Sequence, residues 1–278
     1  MTIVVTGATG HLGRLAIESL LAKGVPAGEI VGLGRQVEKI ADLGITVKQV
    51  SYDDVDSLTD AFRGADKVLF ISGSEVGKRI QQHTNVVTAA KSAGVGLVVY
   101  TSAPKADTTD MKLAGEHLFT ERLLADSGLP HTILRNSWYI ENYNVPQALE
   151  HGLFGASGTG KISASPRADY AEAAASVLVG EGHAGKVYEL GGEPFTMDEL
   201  AAEISRQSGK AVTYIDLPEA KYTELLVGVG LPQAAAEIFA DSDRAASQGA
   251  LFVPRDQLES LLGHPVTPLA TSIGAALA

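Results

Sequence analysis

Three glycines near the amino terminus have the spacing of an anion-binding turn. Gly7, Gly10 and Gly13 follow the pattern G-x-x-G-x-x-G, between the β-branched run of residues 1–6 and the helical periodicity of residues 11–23. Such a turn brings the backbone close to a pyrophosphate and directs the first N–H groups of the helix towards it. The pattern therefore predicts a dinucleotide-binding loop; the alternative is a glycine-rich turn that binds nothing.

The end of the second predicted strand indicates which dinucleotide binds. An NAD site carries Asp or Glu about 20 residues after the glycines, and this carboxylate accepts hydrogen bonds from the ribose hydroxyls. Here the run LGRQ at residues 33–36 holds no acid, and Arg35 supplies a planar cation that suits a 2′-phosphate. We therefore expect NADPH as the cofactor. The alternative is that Arg35 is a solvated surface charge.

Small polar residues follow two later predicted strands. Ser72, Gly73 and Ser74 come after the apolar run 67–71, and Ser102 comes after the run 97–101. Ligands bind outside the carboxyl ends of parallel strands, so these residues are candidates to face the cofactor. Loop serines also serve turn formation alone, and that alternative stays open.

The acid–base pair Tyr-x-x-x-Lys of ketone-reducing short-chain dehydrogenases is absent from the sequence. None of the eight tyrosines has Lys four residues on, and Lys105 follows Tyr100 one position late. Reduction of a ketone forms an alkoxide, which needs a positioned proton donor. Reduction of a quinone forms a phenolate whose conjugate acid has a pKa of about 10, and this anion can take its proton from water. The sequence therefore favours direct hydride transfer from nicotinamide to quinones or similar conjugated acceptors.

An aromatic loop at residues 138–144 offers flat walls for a flat acceptor. Trp138, Tyr139 and Tyr143 could stack on such a substrate, and hydroxyls of Tyr139 or Ser102 could bond a quinone oxygen. His117, on the helix where the missing Tyr/Lys pair would lie, is a candidate proton relay. The catalytic group itself stays unknown from sequence. The alternative is that the aromatic side chains only pack two lobes together.

Other patterns are not expected to carry chemistry. The chain has no cysteine, which excludes disulfides, thiolate metal sites and iron–sulfur clusters. The P-loop-like run at 155–161 is followed by Ile162, where Ser or Thr is needed, so nucleotide hydrolysis is not expected. His117 and Glu121 share a helix face, and we expect a surface ion pair there and no metal site.

Strand-like and helix-like segments alternate through the first half of the chain. Apolar runs such as KVLFI at 67–71 and LVVYT at 97–101 are typical of strands buried on both faces of a parallel sheet. The alternation predicts an α/β fold with a doubly wound parallel sheet, the Rossmann fold, over residues 1–135 as the NADP-binding domain. We expect residues 136–278 to form a smaller, mainly helical C-terminal lobe over the substrate, and a strand at 186–190 that can return to the main sheet. A capping box from Thr196 to Glu199 predicts a helix start.

The composition is that of an ordinary globular protein, with 45% hydrophobic and 20% charged residues in a chain of 278. With 22 Lys and Arg against 33 Asp and Glu, the net charge of −11 argues against a nucleic-acid partner, which needs a basic face. Glycine and prolines interrupt the uncharged stretch 260–278, so a membrane span is not expected. We find no secretion signal and expect a cytoplasmic protein.

Several blocks of the sequence resemble the NmrA-like atypical short-chain dehydrogenases. These blocks are TGATGHLG at 6–13, FISGSEVG at 70–77, VVYTSA at 98–103, LRNSWYIENY at 134–143, PRADYA at 166–171, KVYEL at 186–190 and DSD at 241–243. The resemblance covers essentially the whole chain and is strongest to the bacterial NADPH:quinone oxidoreductases, with triphenylmethane reductase a near relative. One departure is Gly32 and Gly34, where the family pattern leads us to expect bulkier strand residues.

The resemblance implies a homodimer and a set of residues that contact NADP. They are Thr6, Gly7, Ala8, Thr9, Gly10, His11, Leu12, Arg35, Ser72, Gly73, Ser74, Trp138, Tyr139, Glu141, Asn142, Tyr143 and Arg167. Some NmrA-like proteins are regulators, so a second hypothesis stays open: an NADP(H)-binding redox sensor that acts through a protein partner. A third, an epimerase or isomerase that uses bound NADP, is disfavoured by the missing acid–base pair.

Overall fold

The computed structural model describes residues 1–75 and 77–278, so that Val76 of the FISGSEVG run lies outside the described residues. The strands are β1 Ile3–Val5, β2 Ile30–Gly34, β3 Thr46–Gln49, β4 Lys67–Phe70, β5 Leu97–Ser102, β6 His131–Asn136, β7 Trp138–Tyr139, β8 Leu153–Gly155, β9 Ala164–Ser165, β10 Val187–Leu190 and β11 Tyr214–Asp216. The helices are α1 His11–Ala22, α2 Val55–Phe62, α3 Arg79–Ala93, α4 Lys112–Ser127, α5 Val145–His151, α6 Arg167–Val179, α7 Met197–Ser208, α8 Glu219–Gly228, α9 Gln233–Ser247, α10 Asp256–Leu262 and α11 Leu269–Leu277. Short 3-10 helices lie at Ala27–Glu29, Val37–Leu43 and Ile140–Asn142.

A seven-stranded sheet in the order β10-β6-β5-β4-β1-β2-β3 organises the chain. All neighbouring pairs among strands β1 to β6 are parallel. Val4 of β1 lies opposite Val31 of β2 on one side and Val68 of β4 on the other. The strand order reverses beside β1, and such a switch point is where parallel sheets bind ligands. The predicted Rossmann fold is therefore confirmed.

The central strands β1, β4 and β5 of this sheet are largely apolar because both faces are covered. Every residue of β5 is buried, and the rings of Phe70 on β4 and Tyr100 on β5 lie 5.0 Å apart in the core. Helix α1 packs against α6, and α2 packs against α3. Strands β1, β4 and β5 begin and end within two residues of the predicted runs 1–6, 67–71 and 97–101, because continuous burial of a parallel strand leaves a clear apolar run in the sequence.

The chain folds into two compact units that are interleaved in sequence. The first contains Met1–Ala103, Glu116–Arg135 and Arg167–Tyr188, and the second contains Pro104–Gly115, Asn136–Pro166 and Glu189–Ala278. The rhythm of the sequence predicts one division at residue 135. In the structure α6 packs against α1 and β10 joins the sheet beside β6, so α6 and the start of β10 belong to the first unit.

The second unit holds α5 and α7 to α11. Its predicted capping box is confirmed: Thr196 Oγ1 accepts the Glu199 N–H at 3.2 Å, and the Glu199 carboxylate accepts the Thr196 N–H at 2.7 Å. Two short parallel pairs, β7 with β9 and β8 with β11, lie partly in segments predicted to be loops. Strands of two or three residues are too short to show a period in the sequence. Across the described residues, no helix combines the length and apolarity needed to cross a membrane.

Candidate dinucleotide site

The loop between β1 and α1 has a backbone that larger residues could not adopt. Gly7 has φ +59°, in the left-handed region. A Cβ atom on Gly13 would stand 2.3 Å from the Gly7 carbonyl oxygen and 2.7 Å from Ala8 Cα, and backbone atoms cannot swing away. The first turn of α1 therefore packs directly on the loop. The loop therefore requires glycine at both positions for its own backbone geometry.

Buried hydrogen bonds fix this loop to the neighbouring strands. Thr6 is fully buried, and its Oγ1 accepts the Ile71 N–H at 3.1 Å. The Tyr52 hydroxyl lies 2.5 Å from Thr6 Oγ1 and 2.7 Å from the Ile71 carbonyl oxygen. The Ala8 N–H donates to the Leu33 carbonyl at 2.9 Å. Thr6 and Ala8 therefore position the loop, since their polar groups already have protein partners.

The amino end of α1 is exposed. Its N-cap is Gly10, which has no side chain to cap a helix, and the first turn consists of His11, Leu12 and Gly13. Gly10 and His11 are exposed, whereas Leu12 is buried beneath them. Because glycine cannot cap, the first N–H groups of this 12-residue helix carry their positive partial charge towards solvent. This is the electrostatic setting in which helix ends bind pyrophosphate.

The two glycines of β2 make room for the loop and for a neighbouring turn. A Cβ atom on Gly34 would stand 2.5 Å from Thr9 Cγ2, and one on Gly32 would stand 2.8 Å from Ile40 Cδ1. Thr9 and Ile40 thus fill the space that bulkier strand residues would take. The departure from the family pattern at these positions is a packing exchange, and it leaves Arg35 directly after the end of β2.

Arg35 lies in a small cluster of exposed charges. Its Nη1 donates to Glu75 Oε1 at 2.8 Å, and Lys78 Nζ donates to Glu75 Oε2 at 2.9 Å. Lys78 first, and then Arg35, hold the pKa of the Glu75 carboxyl below its usual value. Both cationic side chains are 66% exposed. The predicted phosphate-binding arginine is therefore open to solvent but ion-paired, and a second cation accompanies it.

The turn after β4 is fixed through its backbone. The Ser72 N–H donates to Thr101 Oγ1, and the Gly73 N–H donates to His83 Nε2, both at 3.0 Å. Ser72 and Gly73 are half-buried, and Ser74 is exposed. Because these two N–H groups are bonded within the protein, a ligand would meet the Ser72 and Ser74 side chains and carbonyls here.

His83 supports this turn as a neutral imidazole. Since Nε2 accepts from Gly73, the proton resides on Nδ1, which donates to Thr120 Oγ1 at 2.7 Å. Burial first, and then the Arg79 guanidinium, lower the pKa of His83 to about 3. Arg79 Nε also donates to the Gly73 carbonyl oxygen at 2.5 Å. The turn is therefore held by a buried base that stays uncharged near neutral pH.

At the end of β5 a buried network engages the predicted hydroxyl. Ser102 Oγ donates to Glu121 Oε1 at 2.6 Å. The Arg135 guanidinium donates to both oxygens of the same carboxylate, from Nε at 3.0 Å and from Nη2 at 2.6 Å. All three residues are buried. The Ser102 proton is therefore committed to Glu121.

The prediction of a surface ion pair between His117 and Glu121 is wrong, because both side chains are buried. The face of α4 that carries them packs against β5: His117 Nδ1 lies 2.8 Å from the Tyr100 hydroxyl, and Glu121 accepts from Ser102. Burial lowers the pKa of His117 well below its ordinary value. His117 is thus a neutral core histidine, which is a poor position for a relay to an exposed substrate.

The predicted aromatic residues lie in the second unit. Trp138 is 8% exposed, and its ring meets that of Phe239 edge-on at 6.2 Å. Tyr139 is half-buried, and its hydroxyl accepts from Asn136 Nδ2 at 3.2 Å. Glu141 and Asn142 are exposed on the 3-10 helix that follows. Trp138 thus packs on Phe239 within the second unit, and Tyr139 is the more accessible of the two residues.

Tyr143 is half-buried, and its hydroxyl oxygen lies in a buried polar region of the second unit. Its ring meets Phe195 edge-on at 6.1 Å, and burial followed by Asp243 raises the pKa of its phenol well above the ordinary value. Burial raises the pKa of Asp243 to about 6, although the carboxylate accepts the Ala156 N–H at 3.0 Å. A Cβ on Gly155 would stand 2.5 Å from Asp243 Oδ2. This glycine of the P-loop-like run therefore allows close packing against α9.

Three residues near the first-unit site escaped sequence reasoning: Tyr52, Glu75 and Lys78. Glu75 and Lys78 follow β4 immediately after the Ser72–Ser74 turn, so the rule that strand ends face the ligand could have found them. Tyr52 follows β3 and carries no motif. Arg167, the remaining predicted contact, is the first residue of α6 in the first unit.

The chain matches a known protein family over most of its length. The chain belongs to the NmrA-like family, whose pattern matches residues 1–264. It is 53% identical over 278 residues to quinone oxidoreductase 2 of Escherichia coli strain K12. The matched region covers 98% of this chain and 97% of that protein.

Solved structures show the same similarity. A crystal structure of an NADPH-dependent quinone oxidoreductase from Escherichia coli complexed with NADPH has a TM-score of 0.95 and 51% identity, covering 100% of each chain. The triphenylmethane reductase of Citrobacter sp. complexed with NADP(H) has a TM-score of 0.92 and 39% identity, covering 99% of this chain and 100% of that one.

Proposed function

We propose that this protein is an NADPH-dependent reductase that passes hydride directly to quinones or similar conjugated acceptors. The observation that carries the proposal is the whole-length similarity, at 53% identity, to a protein named quinone oxidoreductase 2. The glycine cradle and the adjoining Arg35 are the features of this chain that suit the cofactor.

Within the first unit, each part of the site has a task towards the dinucleotide. The backbone of Gly7, Gly10 and His11 receives the pyrophosphate at the amino end of α1, and Arg35 binds the 2′-phosphate. Thr6 and Ala8 hold the loop in shape. The further contacts we propose are Thr9, Leu12, Ser72, Gly73, Ser74, Trp138, Tyr139, Glu141, Asn142, Tyr143 and Arg167.

The reaction needs little acid–base help from the protein. NADPH, when bound, supplies the hydride. The reduced acceptor is a phenolate whose conjugate acid has a pKa of about 10, so it can take a proton from water. The Ser102 proton is committed to Glu121, and His117 is buried and neutral, which leaves Tyr139 as the candidate that could bond an acceptor oxygen. Its role is orientation of the acceptor.

Steady-state oxidation of NADPH tests the proposal directly. We expect oxidation to accelerate when a benzoquinone, a naphthoquinone or a cationic triarylmethane dye is added, with NADH a weaker donor. The Tyr139→Phe variant should keep kcat within about threefold, because Tyr139 only orients the acceptor. If Tyr139 were a general acid, its loss would lower kcat by roughly 100-fold or more.

Tight NADPH binding without acceptor-dependent oxidation would contradict the reductase and favour a redox sensor that acts through a protein partner. A homodimer, a cytoplasmic location and the absence of a nucleic-acid partner also remain proposals. Light scattering of the purified protein decides the first.

A further inference from the structure

The charge cluster beside the glycine loop has an unusual balance. The single carboxylate of Glu75 serves two cations, through Oε1 to Arg35 Nη1 at 2.8 Å and through Oε2 to Lys78 Nζ at 2.9 Å. The cluster therefore carries one more positive than negative charge. Because the two cationic side chains are largely exposed, these ion pairs contribute little free energy, and Glu75 can be exchanged for another anion.

Lys78 stands where a lysine is electrostatically unfavourable. It is the N-cap of α3, a helix of 15 residues, and the amino end of a helix already carries positive partial charge. Arg79 follows it, but Arg79 is buried and paired with Glu116 at 3.3 Å. Lys78 itself is exposed; its ammonium donates to Glu75 and also interacts electrostatically with Asp53. The helix end and the lysine together produce a site that favours an anion with more charge than one carboxylate.

The backbone that carries these three side chains is held in place. The Gln49 side chain donates to the Arg35 carbonyl oxygen at 3.1 Å, and the Lys78 N–H donates to the Glu75 carbonyl oxygen at 3.1 Å. The turn that precedes Glu75 is fixed by the bond from the Gly73 N–H to His83. Exchange of the anion therefore requires movement of side chains only.

We propose that Lys78 is a second cation for the 2′-phosphate of NADPH, and that Glu75 sets the preference between NADPH and NADH. This inference rests on the proposed function. In the free protein Glu75 forms an ion pair with both cations. A phosphate monoester carries about −1.5 to −2 charges at pH 7, so it displaces the carboxylate from Arg35 and Lys78. With NADH, the ribose 2′-hydroxyl donates a hydrogen bond to the Glu75 carboxylate, which then plays the part of the Asp or Glu of NAD sites.

Titration of NADPH and NADH into three variants tests this exchange. Lys78→Met should weaken NADPH binding by about fivefold, the size expected of one exposed charge pair, and leave NADH within twofold. Glu75→Gln should strengthen NADPH severalfold and weaken NADH, because it removes both the repulsion of the phosphate and the acceptor of the hydroxyl. The control is Lys91→Met, which removes the same charge from the last turn of α3 and should change neither affinity.

A Lys78→Arg variant separates charge from folding, since it should restore NADPH affinity. The Lys78 effect should also shrink at high salt. Equal losses for both dinucleotides in Lys78→Met, or an unchanged ratio in Glu75→Gln, would overturn the inference. Quinone-dependent turnover of the unaltered protein is measured alongside, so failure of this inference is distinct from failure of the proposed function.

Discussion

Two arginine–glutamate pairs of the first unit consist of the same residue types in opposite environments. Arg135 and Glu121 are both buried, whereas Arg35 is 66% exposed beside Glu75. In the buried pair the carboxylate accepts hydrogen bonds from Nε and Nη2 of Arg135. In the exposed cluster one carboxylate faces two cations. Burial, rather than residue type, thus distinguishes the two pairs.

The energetic reason lies in water. A buried pair has lost its hydration, so removal of one member costs the other a partner that water cannot replace. An exposed pair keeps most of its hydration and is worth little, so either member can change partner at low cost. We therefore expect the first pair to control stability and the second to control dinucleotide affinity.

The largest effect should follow from breaking the buried pair. Glu121→Ala should lower the free energy of unfolding by about 3–5 kcal/mol, because Arg135 and Ser102 lose their shared acceptor. Arg35→Ala should change it by less than about 0.5 kcal/mol. Urea denaturation of both variants measures the difference. Comparable losses in the two variants would remove the distinction between the pairs.

An acid titration of stability extends the contrast to His83. Its pKa is about 3 in the folded protein, below its ordinary value of 6.5, so the unfolded chain binds the extra proton first. Stability should therefore fall as pH drops from about 6.5 towards 3, by up to about 1.4 kcal/mol per pH unit from this residue. The buried His117 acts in the same direction.

Asp243 acts in the opposite direction, because its folded pKa of about 6 lies above its ordinary value of 3.8. Its contribution is present at low pH and is lost as pH rises through that window. A comparison with His83→Gln isolates the histidine. The variant should lose less stability between pH 6.5 and pH 4 than the unaltered protein, and parallel curves would show that His83 does not titrate as described.

Much of the fold was predictable because its signals are local. Parallel strands buried on both faces leave apolar runs, and the anion loop needs glycine where Gly7 has positive φ and where Gly13 touches backbone. The buried face of α4 was not predictable, because His117 and Glu121 look polar until Tyr100 and Ser102 are placed opposite them.

The charge cluster was only half predictable. Arg35 could be identified by its position after the second strand, but Glu75 lies 40 residues away in sequence and meets it only through the sheet. Likewise, no short-range pattern in the sequence indicates that α6 packs against α1. Contacts between distant segments carry no short-range pattern, so they become visible only once the strand order is known.

Calorimetric titration of NADPH into the unaltered protein and into Arg35→Ala tests the central claim most directly, with NADH titrated in parallel. Arg63→Ala is the matched control, since Arg63 is also exposed and ion-paired, with Asp60 at 2.8 Å. We predict that the unaltered protein binds NADPH, that Arg35→Ala weakens it by about tenfold with NADH little changed, and that Arg63→Ala changes neither. Equal losses for both dinucleotides in Arg35→Ala, or no dinucleotide binding by the unaltered protein, would contradict the account.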